Sequence, residues 1–434
     1  MLKFSKQTML MAALLAMAVP GQADDWDDDP WDDDPWDDDV SAFEWYGFIE
    51  GAAGHRLQSN PVIGDDFSLG ELRLQLEGRY EGDVATWRMK LDGIADGVTD
   101  ELDAELREAM VSFPFGDRTD VRLGRQVLTW GTGDLVFLND LFPKDWESFL
   151  IGRDDDYLKG TSDAARISWY GEHINLETVI TPLFEPDRYP DGQRLSYFDP
   201  MQGDIVGAPP RLRGVKPPRT AENAELALRL HGRAGAQEWA LYGYRGFFPQ
   251  PSAFDPESGQ FTFAPMNAIG GSLRGPLAGG LYNLETSYYD SRDNRDGDNP
   301  LLPNSEIRFL AGFEREMVTN FTLGAQYYLE WLQDYSALRR NWPMDPATLP
   351  DERRHLATVR LTWRMMRDNL IVSLMNFYSP SDDDYFIRPT VQYRHTDQLQ
   401  FNAGINLFGG SDASTFYGQF EENSSVFARL RYSF

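Results

Sequence analysis

Residues 71–80 read ELRLQLEGRY, with Leu72, Leu74, Leu76, Gly78 and Tyr80 on one parity and Glu71, Arg73, Gln75, Glu77 and Arg79 on the other. Successive side chains of a strand point to opposite faces, so this stretch has one greasy and one ionic face. After Glu81-Gly82-Asp83 the alternation resumes, with Trp87, Met89 and Leu91 set against Arg88, Lys90 and Asp92. It recurs over 321–331, 385–394 and 399–407. A half-buried sheet in a soluble protein alternates too, so the pattern alone establishes only strands.

Strand length and connection order narrow the choice. Eighteen candidate strands can be traced between 43–54 and 424–434, mostly 9–14 residues long, against about 5–6 in ordinary globular sheets. A tilted strand crossing a bilayer needs about 9–11. The connections alternate between tight ones (81–83, 114–118, 171–172, 233–236, 275–279, 317–318, 366–367, 395–397) and mostly longer ones. The longer set comprises 55–66, 131–161, 182–221, 248–263, 292–303, 333–351 and 409–423, with shorter members at 96–103 and 379–384. Short turns on one rim and long loops on the other predict an all-β chain, a transmembrane antiparallel β-barrel with periplasmic turns and extracellular loops. Past Val40 no stretch is continuously apolar over the roughly 20 residues a transmembrane helix needs. The barrel is expected over 40–434, in the outer membrane of a Gram-negative cell, with both termini periplasmic because the strand number is even.

The first 39 residues read differently. Lys3 and Lys6, an apolar run from Met9 to Val19 and Gly21-Gln22-Ala23 make residues 1–23 a secretory signal. Residues 24–39, DDWDDDPWDDDPWDDD, are too self-repelling and too poor in apolar surface to pack, and predict a disordered acidic periplasmic arm. The chain has no cysteine, so an exported fold must hold without disulfides. At the other end, Val426, Ala428, Leu430, Tyr432 and the final Phe434 share a parity. That ending resembles the signal read by the barrel insertion machinery, an expected partner along with outer-membrane lipid and lipopolysaccharide. Trp87, Trp169, Trp239, Trp331 and Trp363, with Tyr282, Tyr327, Tyr393 and Tyr432, are expected at the membrane interfaces.

Eighteen strands enclose a lumen wide enough for water unless loops fill it. The polar parity should face it, and the basic residues expected to line the passage are Arg73, Arg88, Lys90, Arg125, Arg166, Arg229, Arg308, Arg360, Arg364 and Arg388. Two accounts of them stand open. Arg and Glu on neighbouring strands can pair to build a hydrated wall, or surplus guanidinium groups can make the passage selective for anions. The formal charge of −29 leans the other way, so acids must crowd the loops. Segment 122–160 is rich in Leu, Phe and Trp and should fold back into the barrel or pack on its rim, with Leu135, Phe137, Leu138, Leu141 and Phe142 as packing residues.

Within that segment Gly124-Arg125-Gln126, Trp130-Gly131, Asn139-Asp140 and Pro143-Lys144-Asp145 resemble the corresponding region of alginate-export-like outer-membrane porins. The resemblance implies an eighteen-stranded barrel with an Arg-lined lumen and a channel for an anionic or amphipathic solute. An enzyme would need a constellation that is not in the sequence. His55, His173, His231, His355 and His395 are scattered, and no HExxH, GxSxG or Cys/His metal pattern occurs, so no catalytic residue, metal or cofactor is expected. The acid runs RDDDY (153–157), SDDDY (381–385) and DSRDNRDGDN (290–299) are read as hydrating the outer face or sharing cations with lipopolysaccharide. A third class of role is partner docking, with the acidic arm plugging the lumen or engaging a basic periplasmic protein. No nucleic-acid partner is expected.

Overall fold

A computed structural model describes residues 43–434; the signal and acidic-arm readings lie outside the described residues. Eighteen strands close into one antiparallel barrel. In chain order they are β1 (Phe43–Arg56), β2 (Phe67–Glu81), β3 (Thr86–Asp96), β4 (Glu101–Pro114), β5 (Thr119–Val127), β6 (Thr161–Tyr170), β7 (Ile174–Thr181), β8 (Glu225–Ala234) and β9 (Gln237–Phe247). The second half comprises β10 (Pro265–Leu277), β11 (Gly280–Ser291), β12 (Glu306–Val318), β13 (Phe321–Leu332), β14 (Arg353–Met365), β15 (Leu370–Ser379), β16 (Asp384–Arg394), β17 (Leu399–Gly410) and β18 (Ser425–Ser433). Each strand pairs with its sequence neighbour, and β18 returns to β1 with Ala428 opposite Ala53, so the sheet has no open edge. Beyond the strand, Phe434 and Gly47 exchange backbone hydrogen bonds of 2.9 and 3.0 Å. The Phe434 ring lies where a side chain on Gly47 would begin, 2.8 Å from the ideal Cβ position.

The two faces are inverted relative to a water-soluble domain. Leu74, Trp87, Met89, Leu241, Ile269 and Val391 are exposed on the outer face, whereas Glu71, Arg73, Asp92, Glu285, Arg388 and Asn402 are buried inside. Such inversion is the arrangement a lipid-embedded barrel requires. Trp87, Trp169, Trp363 and Tyr432 stand exposed towards the tight-turn rim, where the described strands also begin and end. One tight turn shows why the strands outrun their sequence estimate. Pairing continues through Leu277 and Gly280, leaving only Ala278 (φ 50°) and Gly279 (φ 78°) to make the two-residue left-handed turn that matches strand twist.

At the opposite rim the long connections do not stay outside. Residues 128–160 fold into the barrel, and α1 (Trp146–Ile151) lies within it, capped at its start by Asp145, which accepts the Ser148 N–H. Phe149, Leu150 and Ile151 of α1 join Leu69, Phe377, Phe386, Phe408 and Phe427 from the wall in an apolar cluster inside the cylinder. Gly152 ends α1 at φ 90°, and the Phe427 ring sits 2.5 Å from where its Cβ would be. Both the left-handed backbone and the ring demand glycine there.

Candidate functional site

The inward segment is fastened to successive sectors of the wall. Leu128 and Trp130 pack on Ala164, Val179, Ala227 and Tyr242, and the Trp130 indole donates to Glu177 at 3.1 Å. The chain then crosses to β11, where the Glu285 carboxylate collects donors from Thr132, Gly133 and Asn139. Gln326 of β13 accepts the Asp134 N–H and donates to its carbonyl, at 2.8 and 2.7 Å. Beyond α1, Arg153 pairs with Glu71, and Tyr157 lies under the guanidinium groups of Arg73 (4.1 Å) and Arg107 (4.5 Å). The residues of the GRQ…WG…ND…PKD stretch are thus largely anchors. Gly124 keeps φ 118° against the Ala109 carbonyl, Trp130 and Asn139 hold the wall, and Asp140 pairs with buried Lys144 at 3.0 Å. Leu138 and Phe142 are buried packing residues, as the apolar content of the segment suggested.

A second loop, 182–224, locks the first from the outer side. Arg194, 1 % exposed, donates to Asp96 and to the Ser68 carbonyl, and Arg188 reaches Asp145 and Glu147. Asp187 accepts the Lys144 N–H and the Trp146 indole N–H, both at 2.8 Å. Burial pushes the Asp187 carboxyl up to about 6, against the pull of Lys144 and these donors. Asp154 moves the other way: despite its burial, Arg429 and Arg431 hold it below the usual carboxylate range.

The inner wall divides by charge into two parts. From β2 to β13 most bases have acids on their own or adjoining strands. Arg73 pairs with Asp92 (2.6 Å) and Glu71 (3.4 Å). Arg88 and Lys90 share Glu77 and Glu108. Arg166 and Arg229 share Glu177, and Arg308 pairs with Glu306. These six expected residues are neutralised within the wall. From β14 to β18 the inner face carries Arg354, Arg360, Arg364, Arg388, Arg394, Arg429 and Arg431, and the five strands contain one acid, Asp384, at the long-loop end of β16; Glu50 of adjoining β1 reaches Arg429 and Arg431 at 3.4 and 2.8 Å. Arg354 reaches Asp382 of the adjoining loop at 2.5 Å. Arg364 forms no salt bridge among the described residues.

Arg125 corrects the expected set. It shares the parity of Leu123, which is exposed on the outer face, and forks onto Asp163, its neighbour on β6, at 2.8 and 2.7 Å. By strand alternation both point outward. A different irregularity adds a residue the alternation missed. A bulge opposite Lys90/Leu91 turns both Arg107 and Glu108 inward, the first onto Tyr157 and the second onto Lys90. Arg429 and Arg431 were visible on the polar parity of the last strand; the signal that singles them out is the near absence of acid from the final five strands.

The inward segment separates two chambers. The outer, about 690 Å³, is lined by Phe137, Trp146, Phe248 and Phe416 and holds Lys144, Arg308 and Arg354 against Asp140, Asp187, Glu330, Asp351, Asp382 and Asp412. The inner, about 180 Å³, faces the β14–β18 wall and reverses the balance, with Arg360, Arg388 and Arg429 against Asp154 and Asp155. Leu135 and Phe149 line both, so the partition between them is the segment itself.

No family model matches the chain, and no curated protein matches it by sequence. Its fold is similar to solved outer-membrane proteins. OccAB4 of Acinetobacter baumannii is 9 % identical with a TM-score of 0.53, covering 90 % of this chain and 98 % of that one. OccAB3 of the same organism is 11 % identical at 0.53, covering 91 % and 100 %. OccD3 (OpdP) of Pseudomonas aeruginosa is 12 % identical at 0.51, covering 91 % of each.

Proposed function

We propose that the chain is an outer-membrane diffusion channel for small anionic solutes, with the inward segment 128–160 as its constriction and the β14–β18 arginine wall as its selecting surface. The exposed apolar outer band fits lipid, and the tight-turn rim is then periplasmic. The observation that carries the reading is the charge of the inner chamber: Arg360, Arg388 and Arg429 line it, their own strands supply no acid at that level, and Glu50 of adjoining β1 reaches only Arg429 of the three. The outer chamber is acidic and rejects nothing positive, so selection against cations falls to the inner one. The other basic wall residues, Arg73, Arg88, Lys90, Arg166, Arg229 and Arg308, act as paired scaffold.

Replacing one lumen charge about 6 Å from a passing ion changes its energy by about 0.7 kcal/mol in water, roughly threefold in relative permeability. Planar-bilayer reversal potentials across a tenfold salt gradient read this directly. Arg360→Gln, Arg388→Gln and Arg429→Gln should each shift the potential towards cation preference, whereas Arg88→Gln should leave it near wild type. Equal shifts from both groups, or none from the first, would refute the assignment of selectivity to this wall.

A further inference from the structure

The arginine wall is already occupied by the chain's own carboxylates. Arg360 Nε lies 2.8 Å from Asp134, Arg388 Nη1 3.2 Å from Asp155, and Arg429 and Arg431 lie 3.0 and 3.1 Å from Asp154. These three acids belong to the inward segment; Arg429 and Arg431 also pair with strand-borne Glu50 of β1 at 3.4 and 2.8 Å, whereas Arg360 and Arg388 pair with no strand-borne acid among the described residues. A strand-borne acid cannot leave its partner without breaking the ladder; a loop-borne one can. Asp155 is held least: its side chain is 58 % exposed, while that of Arg388 is 6 % exposed.

The inner chamber also holds buried donors left over. Asn402 Nδ2, Arg388 Nε and Arg429 Nε have no acceptor among the described residues, and Asn402, Arg388 and Arg429 are 8, 5 and 9 % exposed. All three residues line the chamber of about 180 Å³. Buried unpaired donors are costly, and a guest that only accepts hydrogen bonds would satisfy them. We infer that this chamber is a discrete, saturable site for a small carboxylate, and that Asp155 is the tethered competitor an incoming carboxylate displaces from Arg388. A free carboxylate is the like-for-like replacement for the Asp155 side chain on Arg388, and inorganic phosphate is the competing class that the test separates from it. The inference rests on the anion-channel reading and adds where the anion pauses and what it must move.

Calorimetric titration of the detergent-purified full chain with succinate, and separately with inorganic phosphate, at constant ionic strength balanced by sodium chloride, tests it. Wild type should bind succinate saturably. Asp155→Asn, which removes the competitor, should bind it roughly tenfold more tightly, and Arg388→Gln and Asn402→Ala roughly tenfold more weakly, the scale of one charge-assisted hydrogen bond. The last two variants report separately, so a folding defect in either leaves the other. Heat that tracks ionic strength alone, an unchanged affinity in Asp155→Asn, or a preference for phosphate would overturn the proposal. A channel without anion selectivity that still binds succinate would sink the transport reading and keep the site; a selective channel without saturable binding would do the reverse.

Discussion

Glu285 is the most concentrated anchor of the inward segment, and its removal tests whether that segment sets the width of the passage. The side chain is 2 % exposed. It accepts from the Thr132 backbone N–H, from Thr132 Oγ1 at 2.8 Å, from Gly133 N at 2.8 Å and from Asn139 Nδ2 at 2.9 Å. A hydrogen bond to a charged group contributes about 1.5–3 kcal/mol. Four sharing one carboxylate do not add in full, so about 3 kcal/mol is a fair lower figure for Glu285→Ala. That lowers the ratio of docked to undocked segment by roughly 150-fold. Asn283, Gln326 and Arg360 still hold residues 132–134, so the expected result is a segment that detaches intermittently. The backbone pairs of Glu285 with Ser272 and Leu310 do not use the carboxylate. Single-channel recording should therefore show a larger mean conductance with added open-channel noise, while the barrel's urea midpoint stays near wild type. Conductance and noise identical to wild type, in a protein whose fold is intact, would mean the segment is not the constriction.

Three further outcomes follow from the same geometry. Leu241, in the middle of β9, is 55 % exposed on the outer face, so Leu241→Arg should cost about 2–4 kcal/mol in liposome folding titrations. Phe386 is fully buried, stacked on Phe408 at 4.5 Å and edge-on to Phe149 at 5.6 Å; Phe386→Ala should loosen α1 by about 3–5 kcal/mol, seen as faster hydrogen exchange across 146–152. Asp187 has a folded pKa of about 6, above its ordinary 3.8, so the folded state binds more protons than the unfolded one between those values. Its docking of loop 182–224 on Lys144 and Trp146 should be firmest below pH 4 and lose up to about 3 kcal/mol as pH rises through 6. Protease nicking of that loop should rise over this window in wild type and lose its pH dependence in Asp187→Asn.

The barrel itself was legible because alternation and connection length are local properties. The last strand, expected at 424–434, is Ser425–Ser433, and the first, expected at 43–54, is Phe43–Arg56. The first residues of β4, Glu101 to Asp103, were read as connection, although Leu102 keeps the outward parity of Leu106 and the three pair with Ile94 to Asp96. The site was legible only in part. Parity placed Arg360 and Arg388 inside, but it cannot register a bulge, and so it passed over Arg107; Arg125, expected in the lumen, is set outside by the register. Nor could parity distinguish Arg73, neutralised by Asp92, from Arg388, whose partner arrives from a loop.

What the sequence by itself determined is which side chains can share a face, since a period of two is built into extended backbone and needs no tertiary information. It therefore specified a cylinder with apolar and ionic sides, closed by strands of one length class. What only the tertiary structure decided is which charges neutralise which. Asp154 and Asp155 lie more than two hundred residues from Arg429 and Arg388 in the chain, and they meet because residues 128–160 turn into the lumen and α1 seats on the aromatic cluster of β15, β16 and β18. Coulomb attraction depends on separation in space, which barrel closure sets.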